Sequence, residues 1–527
     1  MTRCVVLLAI LASFAAHAAG EESFSDDAFL PPEASSEGLL YPLPASDVSH
    51  YLSSVTVTHS FRDMAGLNEA LKAAAPESPL FQVAQGYTVQ LDSAALFPQP
   101  LDESGLLVYI AAVRSVDAHA LRLLVDLSGL RADNELWLLD PVAPRAFGPY
   151  STYDALAGGR WLPTVFGDTA VLVLRARDAL PPAFRLLGVS HFYLDVSEAK
   201  ELSCNIDIAC DQNPIVQRIS TGVGLVLVPI GLETFAGSGA LLNAPATPAM
   251  EPFFITAHHV IGDRETAINA DVIWDFRSSR CTINDAPPLA RLPHSQTSAL
   301  LATSATLDAT LLELESVPVG THGRAYLGWD TRPPKVEEPV IVIHFPGAKR
   351  MRITYGRVQA IDQTVVSYLY ETRVGWYEGV TEPGSSGSCL LYADGAYRIA
   401  GTLTGGSNQT CNFDPSENWD YFSSFRDFYK DISPAYLRGS AGHSVYEEPG
   451  EGEGEGEGEG EGEPLPDCAG ASMSQRPTGP SGGLAGDAVL LSFFLLVLAL
   501  SKRRRLSAQE AVHTSHNRRP GEWLPFH

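Results

Sequence analysis

Basic residues are scarce in this chain: 36 Lys and Arg stand against 62 Asp and Glu in 527 residues, a formal net charge of −26. Part of the excess is a Gly-Glu run at 450–463, which contributes seven glutamates. The remainder still argues against nucleic acid as the main partner, because neutralising phosphate takes basic surface. An acidic protein is better matched to a basic substrate side chain, although net charge alone carries little weight. Cysteine is sparse too, at seven residues, and no CxxC pair occurs, so the usual structural zinc spacings are excluded. No metal or organic cofactor is implied by any other motif. Apolar residues nevertheless make up 45% of the chain, enough to bury real cores. The length points to two domains plus tails.

Long hydrophobic runs are also lacking, and the two that exist lie at the ends. Cys4–Ala16 follows a single basic residue, Arg3, and is followed by small residues at Ala16 and Ala18. That pattern predicts a signal peptide over 1–19, cut after Ala18 or Ala19. Export places the remainder where disulfides persist. Cys4 leaves with the signal and Cys468 lies in the tail, so Cys204, Cys210, Cys281, Cys389 and Cys411 remain, an odd set in which at least one thiol is free or pairs elsewhere. The second run, Ala488–Leu500, has only about 13 residues against the roughly 20 of a spanning helix. Lys502–Arg505 follow as a basic stop, cytoplasmic by the positive-inside rule. This tail is similar to bacterial C-terminal sorting signals, but it continues to His527; a plain membrane anchor is the other reading. Cys468 is either a processing or lipid-attachment point or incidental.

Between the ends the chain divides by composition. Residues 20–45 are polar and acidic, a disordered lead. From 46 to 200 the runs LLVYIAAV, ALRLLVDL, ELWLLDP and AVLVLRA, separated by polar or Gly/Pro breaks, predict an antiparallel β-sandwich without a catalytic constellation. A second β-rich block fills 201–440, with GVGLVLVPIG, PFFITAHHV, DATLLELES and EPVIVIHFPG as strands. Residues 441–487 contain the Gly-Glu spacer, which self-repulsion keeps extended. A hydrophobic membrane or sorting segment at 488–501 and a basic tail at 502–527 complete the chain. The expected fold class is all-β.

The chemistry sits in the second block. Gly379-Val-Thr-Glu-Pro-Gly-Ser-Ser-Gly-Ser388 holds a G-x-S-G turn, which projects a serine hydroxyl and aligns backbone N–H groups at an oxyanion position. Ser386 is the candidate nucleophile, and its N–H with that of Gly384 the candidate oxyanion hole. A serine needs a base. In Phe254-Ile-Thr-Ala-His-His-Val260 the Thr-Ala-x-His pattern selects His259, with His258 a structural or outward neighbour. Asp308 heads the strand Leu307-Asp-Ala-Thr-Leu-Leu-Glu-Leu314, where a carboxylate is costly unless it orients an imidazole. Glu313 and Glu315 alternate with leucines and are expected to face solvent. Each signal alone is weak, but the order His, Asp, Ser within one exported β-rich block is that of chymotrypsin-type proteases.

Several stretches carry a more specific resemblance. SCNIDIAC at 203–210, TAHH at 256–259, DATLLELE at 308–315, GWD at 328–330, VIHFPG at 342–347 and GVTEPGSSGS at 379–388 resemble the lysyl endopeptidases, the bacterial Lys-specific branch of chymotrypsin-fold proteases. The resemblance implies a chymotrypsin-like double β-barrel preceded by a β-sandwich-like propeptide domain, and disulfides Cys204–Cys411 and Cys210–Cys281. The family's third bridge, from the strand before the His motif to the residue after it, has lost both partners; Val260 takes the second place. Cys389 has no family partner. The resemblance also implies that Asp420 binds the substrate lysine and that Trp376 lines the cleft. Thr404, before Gly405-Gly406, stands where the family often has a histidine. Family precursors are cut just before the first mature cysteine, which predicts cleavage at Lys200–Glu201. The expected partners are lysine-containing protein or peptide substrates, a membrane through the C-terminal segment and a sorting protease. Two other readings stay open: a broader Arg/Lys preference, and a catalytically inert binding protein displayed at the surface.

Overall fold

The computed structural model describes residues 43–61, 80–103, 105–178, 183–194, 201–244, 251–281, 286–407, 410–431, 436–437 and 444–447. The expected signal, most of the lead, Lys200 and the C-terminal spacer, hydrophobic segment and tail lie outside them. Among the described residues no helix is long and apolar enough to cross a membrane.

The N-terminal block opens with a helix, Ala45–Ser53, and then forms two β-layers. One layer orders the strands Thr58–Phe61, Leu106–Ser115, Thr169–Ala176, Glu135–Asp140 and Arg145–Tyr150, with Leu101–Glu103 beside the second. The other runs Phe81–Asp92, Arg185–Phe192, Ala120–Asp126 and Arg160–Trp161. Ala111, Val113, Leu172 and Leu174 of the first layer meet Leu121, Leu123, Leu186 and Val189 of the second in one buried cluster. This is the sandwich the apolar runs predict, except that Thr58–Phe61 pairs with Leu106–Ser115 in parallel. Besides the short strands, two long ones carry no such run: Phe81–Asp92 is interrupted by Gln85 and Gly86, and Arg185–Phe192 by Gly188.

The second block holds two closed six-stranded barrels of the chymotrypsin-like type. In the first, Val223–Ile230 pairs with Asp271–Ile273, which pairs with His294–Ser304, then Ala309–Leu314, Phe253–Thr256 and Glu233–Leu242; the last pairs back to the first. The second runs Arg352–Val365, Pro339–His344, Cys389–Tyr392, Ile399–Gly406, Trp419–Phe422 and Tyr368–Glu378, closing on Arg352–Val365. Closure removes the open edges. Strand alternation separates the cores. Val226, Phe254, Val272 and Leu312 pack within the first barrel, and Val342, Val358, Val374 and Leu390 within the second. Their neighbours Leu225, Ile255 and Leu311 join Ile341, Ile343 and Ile353 in a cluster shared by both barrels.

Two disulfides, Cys204–Cys411 and Cys210–Cys281, tie the start of this block to the second barrel and to the loop after Asp271–Ile273. Cys389 is unbridged and buried. Val260 packs against the strand Glu233–Leu242. Gly237 faces Val260, and a Cβ at 237 would come within 2.9 Å of Val260 Cγ1, so one valine side chain fills the space.

Candidate active site

His259 and Asp308 are placed by strand register. Phe253–Thr256 and Ala309–Leu314 are antiparallel neighbours with Thr256 opposite Thr310. His259 follows the first strand and Asp308 precedes the second, so both emerge at the same end. Asp308 is fully buried and takes a left-handed φ of 45°. Its carboxylate accepts two hydrogen bonds from one residue: the His259 backbone N–H at 2.9 Å and the ring Nδ1 at 2.8 Å. The imidazole is thereby held in position and tautomer, with Nδ1 protonated. Its Nε2 is buried and has no hydrogen-bond partner among the described residues. His258 turns away to Thr303 at 2.8 Å, and burial lowers its basicity.

Ser386 stands in the loop between Tyr368–Glu378 and Cys389–Tyr392, and that loop is held from both barrels. The Ser238 N–H donates to Ser386 O at 2.8 Å, and the Ser238 hydroxyl to Gly384 O at 2.9 Å. Gly384 has φ 100° and Gly387 φ 82°, conformations that glycine adopts without strain. A Cβ on Gly387 would lie 2.2 Å from Thr256 Oγ1 and 3.0 Å from Ala257 N, so the serine turn lies directly against the strand that leads to His259. Thr402 Oγ1 donates to the Asp308 backbone O at 3.3 Å, joining the second barrel to the carboxylate's segment.

Residues outside the sequence-based set complete the site. His344 is fully buried, with Nδ1 2.7 Å from Ser385 Oγ and Nε2 2.9 Å from Thr354 Oγ1. Burial, with the Arg352 charge adding to it, lowers its pKa to about 3, so the ring is neutral. Ser385 Oγ in turn accepts the Glu382 N–H at 3.2 Å. Glu382 accepts the Leu202 N–H at 3.0 Å and the Asn205 amide at 2.5 Å, and burial pushes its carboxyl up. Glu371 is wholly buried near Asp308; burial first, then the Asp308 charge, raises its carboxyl well above the ordinary range. His344 could have been suspected as a lone histidine closing an apolar strand. Glu371 carries no sequence signal.

The residues expected to hold the substrate lysine lie on two paired strands. Gly405 pairs with Tyr421 and Gly406 with Asp420 across the strands Ile399–Gly406 and Trp419–Phe422. A Cβ on Gly406 would lie 1.9 Å from Asp420 Oδ1, so any side chain there would displace the carboxylate. Oδ2 of Asp420 accepts Trp376 Nε1 at 2.5 Å and Thr381 Oγ1 at 2.6 Å. Trp376 itself is fully buried, edge-on to Phe422 at 5.9 Å, and holds Asp420 through its indole N–H while its ring fills the barrel core. Thr404 is buried where its strand passes Glu371. Glu313 is half-buried and Glu315 exposed, pairing with Arg160 at 3.5 Å. At the expected cleavage site, Glu201 pairs with Arg352, which also binds Asp207 at 2.6 Å.

Residues 199–423 match the family model described as lysyl endopeptidase, C-terminal domain. The chain is 30% identical over 293 residues to a lysyl endopeptidase of Pseudomonas aeruginosa, a match covering 52% of this chain and 62% of that relative. It thus spans less than two thirds of the relative's length. Among solved structures the chain is similar to the active form of the Rv3671c protease from M. tuberculosis, with 14% identity, TM-score 0.31, and coverage of 46% of this chain and 92% of that one. It is also similar to the HtrA-type protease AlgW with tripeptide, with 16% identity, TM-score 0.28, and coverage of 42% and 62%.

Proposed function

We propose that this chain is an exported serine endopeptidase that hydrolyses peptide bonds after lysine. The observation that carries the reading is the double hydrogen bond from His259 to the buried Asp308, set beside a glycine-shaped serine turn. Nε2 is the ring nitrogen left to take the Ser386 proton as the hydroxyl attacks the scissile carbonyl. Asp308 stabilises the imidazolium that forms. The N–H groups of Gly384 and Ser386 are assigned to the developing oxyanion. Collapse of the tetrahedral intermediate expels the amine, which receives the proton from His259, and water repeats the sequence on the acyl-enzyme. Ser385, held by His344 and Glu382, keeps the turn in register.

The choice of lysine over arginine is supported by the way Asp420 is already engaged. Oδ2 already accepts Trp376 and Thr381, which disfavours the forked two-oxygen pairing that a guanidinium prefers. The 46–200 block is assigned as a propeptide domain released by a cut at Lys200–Glu201, and the C-terminal hydrophobic segment as an anchoring or sorting element at the cell envelope.

A cleavage map tests the activity. The protein lacking its signal and tail is incubated with a denatured protein mixture, and the new termini are read by mass spectrometry beside Ser386→Ala. Cuts after lysine by the wild type alone are expected. Cuts after other residues would remove the pocket assignment and keep the triad. No cuts, together with failure to label with a serine-reactive phosphonate, would leave the fold as an inert binding protein.

A further inference from the structure

We propose that the N-terminal block is a lasting partner of the first barrel, one that stays docked as a brace after the chain between the two is cut. The proposal relies on the maturation cut only for its relevance to the processed enzyme. Its basis is the surface between the blocks. Strand Phe81–Asp92 continues the barrel's sheet: Ala84 pairs with Thr234, Gln82 with Phe235 and Phe81 with Ala236. Gly86 then passes so close to the next hairpin that a Cβ would lie 2.1 Å from Leu232 O. Withdrawing the block would leave Thr234–Ala236, a stretch of strand Glu233–Leu242 that Phe253–Thr256 does not pair with, open on one side, the kind of edge that folded proteins keep covered.

Beside this edge the two blocks share buried charge. Arg122 is wholly buried; its guanidinium donates to Asn269 O at 2.6 Å across the boundary and to Leu162 O at 3.1 Å within its own block. Asp271, equally buried, accepts the Thr164 N–H at 3.0 Å, and Asn269 Oδ1 accepts the Trp161 N–H at 3.0 Å. Arg145 donates to Leu292 O at 2.9 Å, Tyr150 to Gln296 at 2.8 Å, and the buried hydroxyls of Ser190 and Thr234 meet at 2.9 Å. Phe166 sets its edge against the His294 ring at 5.7 Å. Polar groups buried this deeply and hydrogen-bonded across the boundary resemble the interior of a single domain.

The placement explains why such a partner would brace the site. None of these contact residues belongs to the triad, the serine turn or the Asp420 pocket. Yet the docked strand reaches the site at once: two residues beyond Ala236, Ser238 supports the carbonyls of Ser386 and Gly384.

The test uses the full chain with Ser386→Ala and a recognition sequence for an unrelated specific protease placed within 195–200, so that it is independent of the proposed activity. After complete cutting, size-exclusion chromatography with light scattering is expected to show both fragments together at the mass of the uncut chain, down to nanomolar concentration. Elution of the protease fragment alone would overturn the proposal. Gly86→Leu in the same background is expected to release the fragments upon cutting; undiminished co-elution would overturn the assigned surface. Should that variant not fold, Tyr150→Phe with Arg145→Met is expected to weaken the association roughly tenfold or more, and an unchanged dissociation constant would count equally against it.

Discussion

His259 and Asp308 come from adjacent strands of the first barrel, whereas Ser386 comes from a loop of the second. The first pair needs little beyond register: once Thr256 lies opposite Thr310, the two residues emerge together and the short hydrogen bonds follow. The serine has no such frame. Its turn depends on two glycines at positive φ, on Ser238 reaching over from the other barrel, and on the buried His344–Ser385 contact. His259 and Asp308 are thus set by pairing within one barrel, and Ser386 by agreement between two. Damage to the shared face should therefore disturb Ser386 before it disturbs the His259–Asp308 pair.

The largest effects expected are at the triad. Ser386→Ala should lower kcat by about 10⁴–10⁶, since triad members act as a unit. Asp308→Asn should cost about 10⁴, because an amide in its place favours the wrong imidazole tautomer. Survival of most activity in Ser386→Ala, measured with a lysyl ester or amide, would end the assignment. Ser238→Ala sharpens the contrast: it leaves the first pair untouched and should lower kcat without changing the pKa seen in kcat/KM, since His259 and Asp308 keep their geometry.

Next in size is the pocket. Removing one partner of a buried charge pair typically costs 2–5 kcal/mol, so Asp420→Ser should reduce kcat/KM for lysyl substrates by about 30- to 5,000-fold. Phosphonate labelling of Ser386 should be far less affected. Equal loss in both measurements would mean that Asp420 supports the barrel and not the substrate.

The residues legible in the sequence were those whose chemistry has a fixed address along a strand or turn. The His motif, the aspartate heading its strand and the G-x-S-G turn were readable because each carries a local pattern and the three fall in order. The two disulfides were readable through resemblance to the lysyl endopeptidases. What was hidden depends on three-dimensional neighbours. Phe81–Asp92 lacks an apolar run because it joins two sheets along its edges, and its value lies in Gly86, which no periodicity marks. Trp376 was expected to line the cleft, and it is placed inside the second barrel with only its N–H turned to Asp420. Glu371 and Arg122 look like ordinary strand polar residues until burial singles them out.

The smallest effect separates the barrels by their response to acid. In the second barrel His344 titrates at about 3 when folded and near 6.5 when exposed. Between those values the unfolded chain binds the extra proton, so stability is full above about 6.5 and falls as the pH drops toward 3, by on the order of a few kcal/mol. Asp271 marks the first barrel and its docked block. Burial alone would raise its pKa, but the His294 and Arg122 charges and the Thr164 N–H hold it at about 2. Its contribution is present above the ordinary 3.8 and is lost only as the pH falls toward 2. On acidification the contribution of His344 is therefore lost before that of Asp271, and the serine turn that His344 supports through Ser385 should loosen with it. Urea titrations at stepped pH, followed by phosphonate labelling, should show loss of Ser386 reactivity before the tryptophan signal of global unfolding. His344→Gln, which keeps a hydrogen-bonding side chain without a titrating ring, should flatten the slope between about 6.5 and 3. An unchanged slope would place the acid sensitivity elsewhere and remove His344 as the point where the second barrel yields.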